Sequence, residues 1–253
     1  MKVRNIFNWL EGTDLQEMLI YSAVAGLATA LGAGIVLVLG TPSKRVLSLF
    51  LGFAAGIMLA IATLELLHHT REMGQTVKGI IGFLCGVLLM HLLDYLIPHL
   101  HFRNGSCDQE QAEMLKVGFL IFLGIAVHNV AEGLAIGAGA IAWPELGLSI
   151  AVAIGIHNIP EGMATAVPLR IGGMAWAPLL FMAAAAGLMT VAGTAIGGLV
   201  FQAGAGTIAG ALGFAAGAMF YIVGDELIPH ARNYHHYWAN IGLVGGFVLG
   251  ALM

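Results

Sequence analysis

Leu51-Gly52-Phe53-Ala54-Ala55-Gly56-Ile57-Met58 returns 161 residues later as Leu212-Gly213-Phe214-Ala215-Ala216-Gly217-Ala218-Met219. At the same offset, Leu64-Glu65-Leu66-Leu67-His68-His69 aligns with Asp225-Glu226-Leu227-Ile228-Pro229-His230. Glu65 thereby stands against Glu226, and His69 against His230. Glycine- and alanine-rich helices resemble one another by chance, but the matched acid and imidazole argue for a true repeat.

The surroundings of the repeat are those of a membrane protein. Of 253 residues, 59% are hydrophobic and 9% charged, with a mean hydropathy of +0.90. A soluble domain carries about 25% charged residues. The 36 glycines suit close helix–helix contact in lipid, and the alternating pattern of a membrane β-barrel is absent. The first apolar run, from near Glu17, is long enough to span and reads as a retained helix rather than a cleaved signal. The net charge of −4 says little with so few charges, and nothing suggests a nucleic-acid partner. Cys85 and Cys107 are spaced for neither a disulfide nor a thiolate metal site.

A helical span needs about 20 apolar residues. Eight stretches qualify, roughly 17–40, 46–68, 77–98, 116–140, 145–168, 174–201, 206–230 and 236–253. They form a single transmembrane domain, with a polar loop at about 99–115. Eight spans return the C-terminus to the side of the N-terminus. If that side is outside, the inner loops hold Lys44, Arg45, Arg103, Lys116, Arg170 and Arg232, and the outer side Lys2, Arg4, Arg71 and Lys78. The bias favours N-out, C-out, with the 99–115 loop cytoplasmic. Spans 2 and 7 then run in opposite directions, so the repeat is inverted. In transporters this arrangement puts a binding site near the midplane at the repeat interface.

A second, shorter repeat lies between the first two copies. His128-Asn129-Val130-Ala131-Glu132-Gly133 recurs 29 residues on as His157-Asn158-Ile159-Pro160-Glu161-Gly162. Histidine and glutamate at i and i+4 share one helix face. A charge at the bilayer centre costs roughly 2.5 to 3.5 kcal/mol on insertion scales. One such histidine is equally well explained by an interhelical hydrogen bond, and one such glutamate by a neutral carboxyl or a proton relay. Two copies of the same face favour joint ligation of a divalent cation, and nitrogen with carboxylate oxygen suits Zn²⁺, Fe²⁺, Mn²⁺ or Co²⁺. Pro160 withholds a backbone donor and is expected to weaken the fifth span near Ile156.

Other polar residues are read more plainly. Glu226 and Glu65 are further candidate ligands, each also explicable as an interfacial acid reaching water. Met58 lies seven residues before Glu65, a weak thioether donor or simply core. His91 and Asp94 at i, i+3 suit an internal hydrogen bond. His99 with His101, His68-His69 and His235-His236 read as solvated helix ends.

The eight-span pattern, with His-Asn-x-x-Glu-Gly in span 4 and His-Asn-x-Pro-Glu-Gly in span 5, resembles the ZIP (Zrt- and Irt-like protein) family of divalent metal transporters, prokaryotic type. The resemblance covers essentially residues 17–253. It implies an all-α integral membrane fold, a 3+2+3 bundle of eight transmembrane helices with inverted repeats. It also implies a two-metal centre between spans 4 and 5, with His128, Asn129, Glu132, His157, Asn158 and Glu161 as ligands and the two glutamates bridging. Met58 falls where the family can supply a span-2 ligand and Glu226 where it supplies a span-7 carboxylate. Glu65 stands where some members carry serine, which implies a third site or a gating carboxylate. Some members have Gln and Asp where this chain has His157 and Asn158, and a neutral Asn158 implies a weaker second position.

The expectation is transport of a transition-metal dication toward the cytoplasm across the plasma (inner) membrane, Zn²⁺ first, with Fe²⁺, Mn²⁺ or Cd²⁺ as further cargo and no prosthetic group. The bilayer and the metal ions are the partners, and the small-residue faces permit a homodimer. A membrane-embedded di-metal enzyme is the first rival. His-Glu-x-x-His is missing, and Glu-x-x-His occurs only once, at Glu65-Leu66-Leu67-His68, where a di-iron bundle needs it on two helices. A proton-coupled carrier of a non-metal solute is the second.

Overall fold

The computed structural model describes residues 13–40, 42–96, 109–200 and 204–253, and among them every regular element is helical. In chain order these are α1 (Thr13–Leu39), α2 (Lys44–Glu72), α3 (Thr76–Leu96), α4 (Gln109–Ala142), α5 (Pro144–Ile171), α6 (Trp176–Val200), α7 (Ala205–Ile222) and α8 (Ile228–Ala251). Seven of them, α1 to α7, are long and apolar enough to cross a membrane. Local chemistry sets their ends. Ser43 caps α2, its hydroxyl accepting from the Val46 N–H at 3.4 Å. Pro144 opens α5, where a missing N–H costs nothing. Gly74 and Gly173 take positive φ in the turns after α2 and α5.

The inverted repeat of the sequence is an inverted repeat of the backbone. α2 passes through a π-helical segment at Ile61–Leu66, and a matching π segment at Val223–Leu227 follows α7. The chain then stays helical to residue 234 and breaks at His235 (φ −170°, ψ 102°), from which the rest of α8 turns back. Ser48 of α2 covers this break, its hydroxyl facing the carbonyls of Ala231 at 2.8 Å and His235 at 2.7 Å. Two expectations shift. Residues 109–115 are already helix, while 97–108, with His99, His101 and Cys107, lie outside the described residues. α5 runs through Pro160 without a break, held on either side by α1 and α4.

Packing follows the repeat. α1, α4, α5 and α6 pack on one another, α2 packs along α8 and α3 along α7, and the two groups meet where α4 touches α7 and α5 touches α2. The α4–α5 pair is thus set between α1–α3 and α6–α8. Glycine makes these contacts close. A Cβ on Gly26 of α1 would run into the carbonyl of Gly187 of α6, and a Cβ on Gly187 into that of Gly26. These two glycines are 161 residues apart in the chain, so their contact sits on the pseudo-two-fold axis. Cα-only residues let helix backbones approach where lipid supplies no hydrophobic drive. The outer faces are apolar, with Val24, Val38, Ile80 and Phe181 more than half exposed.

Candidate metal centre

Four ionisable side chains of α4 and α5 are brought together in the middle of the bundle. His128 is 1% exposed, and Glu132, His157 and Glu161 are 0% exposed. They pair across the helices rather than along them. His128 Nε2 lies 3.1 Å from Glu161 Oε2, and His157 Nε2 lies 2.6 Å from Glu132 Oε1. Within α4, His128 Nε2 stands 3.8 Å from Glu132 Oε1. The pseudo-two-fold exchanges 128 with 157 and 132 with 161, so the two cross pairs are images of each other. Two nitrogen and oxygen donors bound tetrahedrally to one zinc at 2.0–2.1 Å stand about 3.3 Å apart. His128, Glu132 and Glu161 each offer one ligand atom within 4.8 Å of the others.

The centre is under-satisfied as a protein-only network. Glu132 Oε2, Glu161 Oε1, His157 Nδ1, Asn129 Oδ1 and Asn158 Oδ1 are buried without a protein hydrogen-bond partner. Each such atom costs about 1–3 kcal/mol. Five in one place fit a site that is completed by a cation or by water.

The asparagines point their amide nitrogens outward. Asn129 Nδ2 donates to the Ala186 carbonyl of α6 at 2.9 Å, and Asn158 Nδ2 to the Ala25 carbonyl of α1 at 3.0 Å. Ala25 and Ala186 are again images at an offset of 161. The amide orientation follows from the partner, since a carbonyl accepts and cannot donate. Beside them, a Cβ on Gly133 would meet the Thr190 carbonyl, and one on Gly162 the Thr29 carbonyl. The face of α4 behind the quartet is therefore packed tightly on α6, and that of α5 on α1.

The remaining expected residues come from α2 and from the segment after α7. Met58 is fully buried in the apolar core of α2. Glu65 is not in the central group. The π segment carries it to an open vestibule at the end of α2, where it faces His69. Glu226 falls in the second π segment, and its side chain lies outside the described residues.

A cavity of about 30 Å³ reaches the centre from one end. It touches His128 and Glu161 and passes Ile121, Ile125, Ile222 and Leu227 toward His230 and Tyr234. The images of those four apolar residues are Ile150, Ile154, Ile61 and Leu66, identical in type. On that side they form a closed plug, each at most 1% exposed, whereas Leu227 is 8% exposed. The sequence reading missed this pair of walls. Its signal was there, because Ile121 and Ile125 recur as Ile150 and Ile154 at the offset of the His-Asn motif.

The family described as the ZIP zinc transporter matches residues 98–253, more than half of the chain. The chain belongs to the ZIP family. Among curated relatives of this ZIP chain is a zinc transporter ZIPB of Bordetella bronchiseptica, 37% identical, with 98% of this chain and 84% of the relative aligned. A zinc transporter ZupT of Chlorobium chlorochromatii is 33% identical over 90% of this chain and 92% of its own length. A ZupT of Corynebacterium glutamicum is 36% identical over 90% and 94%. As a ZIP protein with seven membrane-capable helices, the chain is an integral membrane protein and a divalent metal transporter rather than an enzyme.

Proposed function

We propose that this ZIP chain carries Zn²⁺ toward the cytoplasm across the plasma (inner) membrane, with Fe²⁺, Mn²⁺ and Cd²⁺ as competing cargo. The carrying observation is the buried cross-paired quartet of His128, Glu132, His157 and Glu161. Its donors are borderline-soft nitrogen and hard oxygen, a set that accepts zinc and its neighbours. The relatives named as zinc transporters support zinc as first cargo.

The centre is binuclear in this reading. Each glutamate spends one oxygen on the opposite histidine and keeps a second oxygen unpartnered. That leaves each carboxylate able to bridge two cations related by the pseudo-two-fold axis. Asn129 and Asn158 add amide oxygens at the edges, and Met58 and Glu226 are ligands of transit on α2 and beside α7. Orientation is N-out and C-out, so the open cavity faces the cytoplasm and the plug of Ile61, Leu66, Ile150 and Ile154 faces outside. Transport exchanges the two ends. The same residue types wall both half-paths, so opening one and closing the other trades like contacts for like. The α1, α4, α5 and α6 group, which holds the centre, moves against α2, α3, α7 and α8. Protonation of the histidines on the cytoplasmic side favours release, because ligands must be deprotonated to bind.

The test is zinc flux into proteoliposomes loaded with a trapped indicator, for wild type beside His128→Ala and Glu161→Ala. Flux that is lost in both variants supports the reading. Equal flux in all three proteins, or flux of a non-metal solute without zinc, removes it.

A further inference from the structure

Thr29 of α1 and Thr190 of α6 are images of each other at the offset of 161, and each is 0% exposed. Among the described residues, neither hydroxyl has a hydrogen-bond partner. A threonine inside a helix commonly donates its hydroxyl to the carbonyl four residues back. Thr63, Thr165 and Thr194 do so here, onto Leu59, Glu161 and Thr190 at 2.6, 3.0 and 3.0 Å. For Thr29 that carbonyl is Ala25, and for Thr190 it is Ala186. These are the two carbonyls that the asparagines of the centre occupy, with Asn158 Nδ2 at 3.0 Å and Asn129 Nδ2 at 2.9 Å.

A backbone carbonyl has two lone pairs. In an α-helix one of them takes the N–H four residues on, which for Ala25 and Ala186 belongs to the same threonine. The asparagine amide holds the other. Each threonine hydroxyl is thus a second donor for a place already filled, and this holds twice, at image positions. The backbones around it are fixed, because the Thr29 and Thr190 carbonyls leave no room for a Cβ on Gly162 or Gly133. That leaves the threonine χ1 and the asparagine amide to turn. Asn158 Oδ1 and Asn129 Oδ1 are themselves buried without a protein partner.

We infer that Thr29 and Thr190 are positioning residues of a two-position latch behind the metal centre. In the empty centre each asparagine amide sits on its alanine carbonyl and the threonine hydroxyl is idle. When the amide turns to bring its oxygen to the cation, Nδ2 leaves the carbonyl and the hydroxyl takes the vacated lone pair. The exchange satisfies a hydroxyl that was unmet, so it favours the loaded centre. The threonines act through the asparagines and not on the cation. The asparagines as ligands rest on the transport reading above, whereas the competition for the carbonyl does not.

The experiment uses the purified full chain in detergent. Thermal unfolding without zinc is measured for wild type, Thr29→Val, Asn158→Ala and the double variant. Valine keeps the branched shape of threonine and removes the hydroxyl. Alone, Thr29→Val is expected to leave the unfolding midpoint unchanged or raised, because the hydroxyl is idle. In the Asn158→Ala background the hydroxyl has the carbonyl to itself, so the same change lowers the midpoint by a few degrees. That difference is the coupling of a double-mutant cycle. Zinc affinity is read by equilibrium dialysis on the zinc that His128→Ala abolishes. It falls several-fold in Thr29→Val and in Thr190→Val, and Thr29→Ser, which keeps the hydroxyl, rescues it. A midpoint lowered equally by Thr29→Val in both backgrounds means an ordinary hydroxyl with a fixed partner and overturns the latch. So does an unchanged affinity in a chain that binds zinc at the centre. Should wild type bind no zinc there while the two backgrounds still differ, the transport reading fails and the competition for the carbonyl stands.

Discussion

His157 Nε2 of α5 lies 2.6 Å from Glu132 Oε1 of α4, with neither side chain exposed. Its image, His128 with Glu161, lies at 3.1 Å. Each helix therefore supplies a base to the other helix's acid, and removing either partner strands the remaining one. Glu132→Ala is expected to abolish zinc flux. It should also destabilise the cation-free protein by about 1–3 kcal/mol, the cost of a buried polar group left unmet. Thermal unfolding in detergent, followed alongside flux, checks both. An active variant of unchanged stability would contradict the cross-pairing.

The tethers behind the centre are predicted to matter by their donors. Asn158→Ala removes the hydrogen bond to Ala25, and Asn129→Ala the one to Ala186. Each should cost about 1 kcal/mol of stability and slow flux, and the two should behave alike because they are images. Unfolding curves for both variants would expose any large asymmetry.

Close backbone approach gives a contrast between glycines. Gly162→Ala drives a methyl into the Thr29 carbonyl, whereas Gly245 has nothing within 4 Å of an added Cβ. Gly162→Ala should cost about 1–3 kcal/mol through overpacking. Gly245→Ala should be neutral or stabilising by about 0.5–1 kcal/mol, since alanine favours the helix interior. Equal effects at the two positions would mean that α5 does not pack on α1 this tightly.

The two half-paths can be told apart by labelling. Ala164 lines the open cavity, and its image Ala135 is 0% exposed. With Cys85 and Cys107 replaced by serine, Ala164→Cys should react with a polar thiol reagent and Ala135→Cys should resist. Alternation predicts that Ala135→Cys gains reactivity during zinc turnover. Protection that never changes would argue against exchange of the two ends.

His235→Ala is the control for the histidines outside the centre. The extended backbone at His235 suits any residue, and Ser48 meets its carbonyl rather than its ring. Flux should be close to wild type. Ser48→Ala, by contrast, leaves the Ala231 and His235 carbonyls without that hydroxyl. It should lower stability by about 1–2 kcal/mol, read from the same unfolding curves.

The helices and their inversion were legible in the chain because both are written locally. Apolar run length sets a membrane span, and the octapeptides around Gly-Phe-Ala-Ala-Gly, together with the matched Glu and His, carry the repeat. The central quartet was legible for the same reason, since i, i+4 spacing fixes a helix face without reference to the rest of the fold. The cross-pairing was not. Which carboxylate meets which imidazole depends on how α4 lies against α5, and that depends on glycine contacts with α1 and α6. Glu65 shows the limit most clearly. Its sequence match to Glu226 placed it with the ligands, but the π segment and the packing of α2 on α5 carry it out to the vestibule, beside a histidine that had read as a solvated helix end. Equivalence of the two half-paths is a property of the sequence. Which of them stands open is decided by tertiary packing alone, because identical Ile and Leu walls bury equally well on either side.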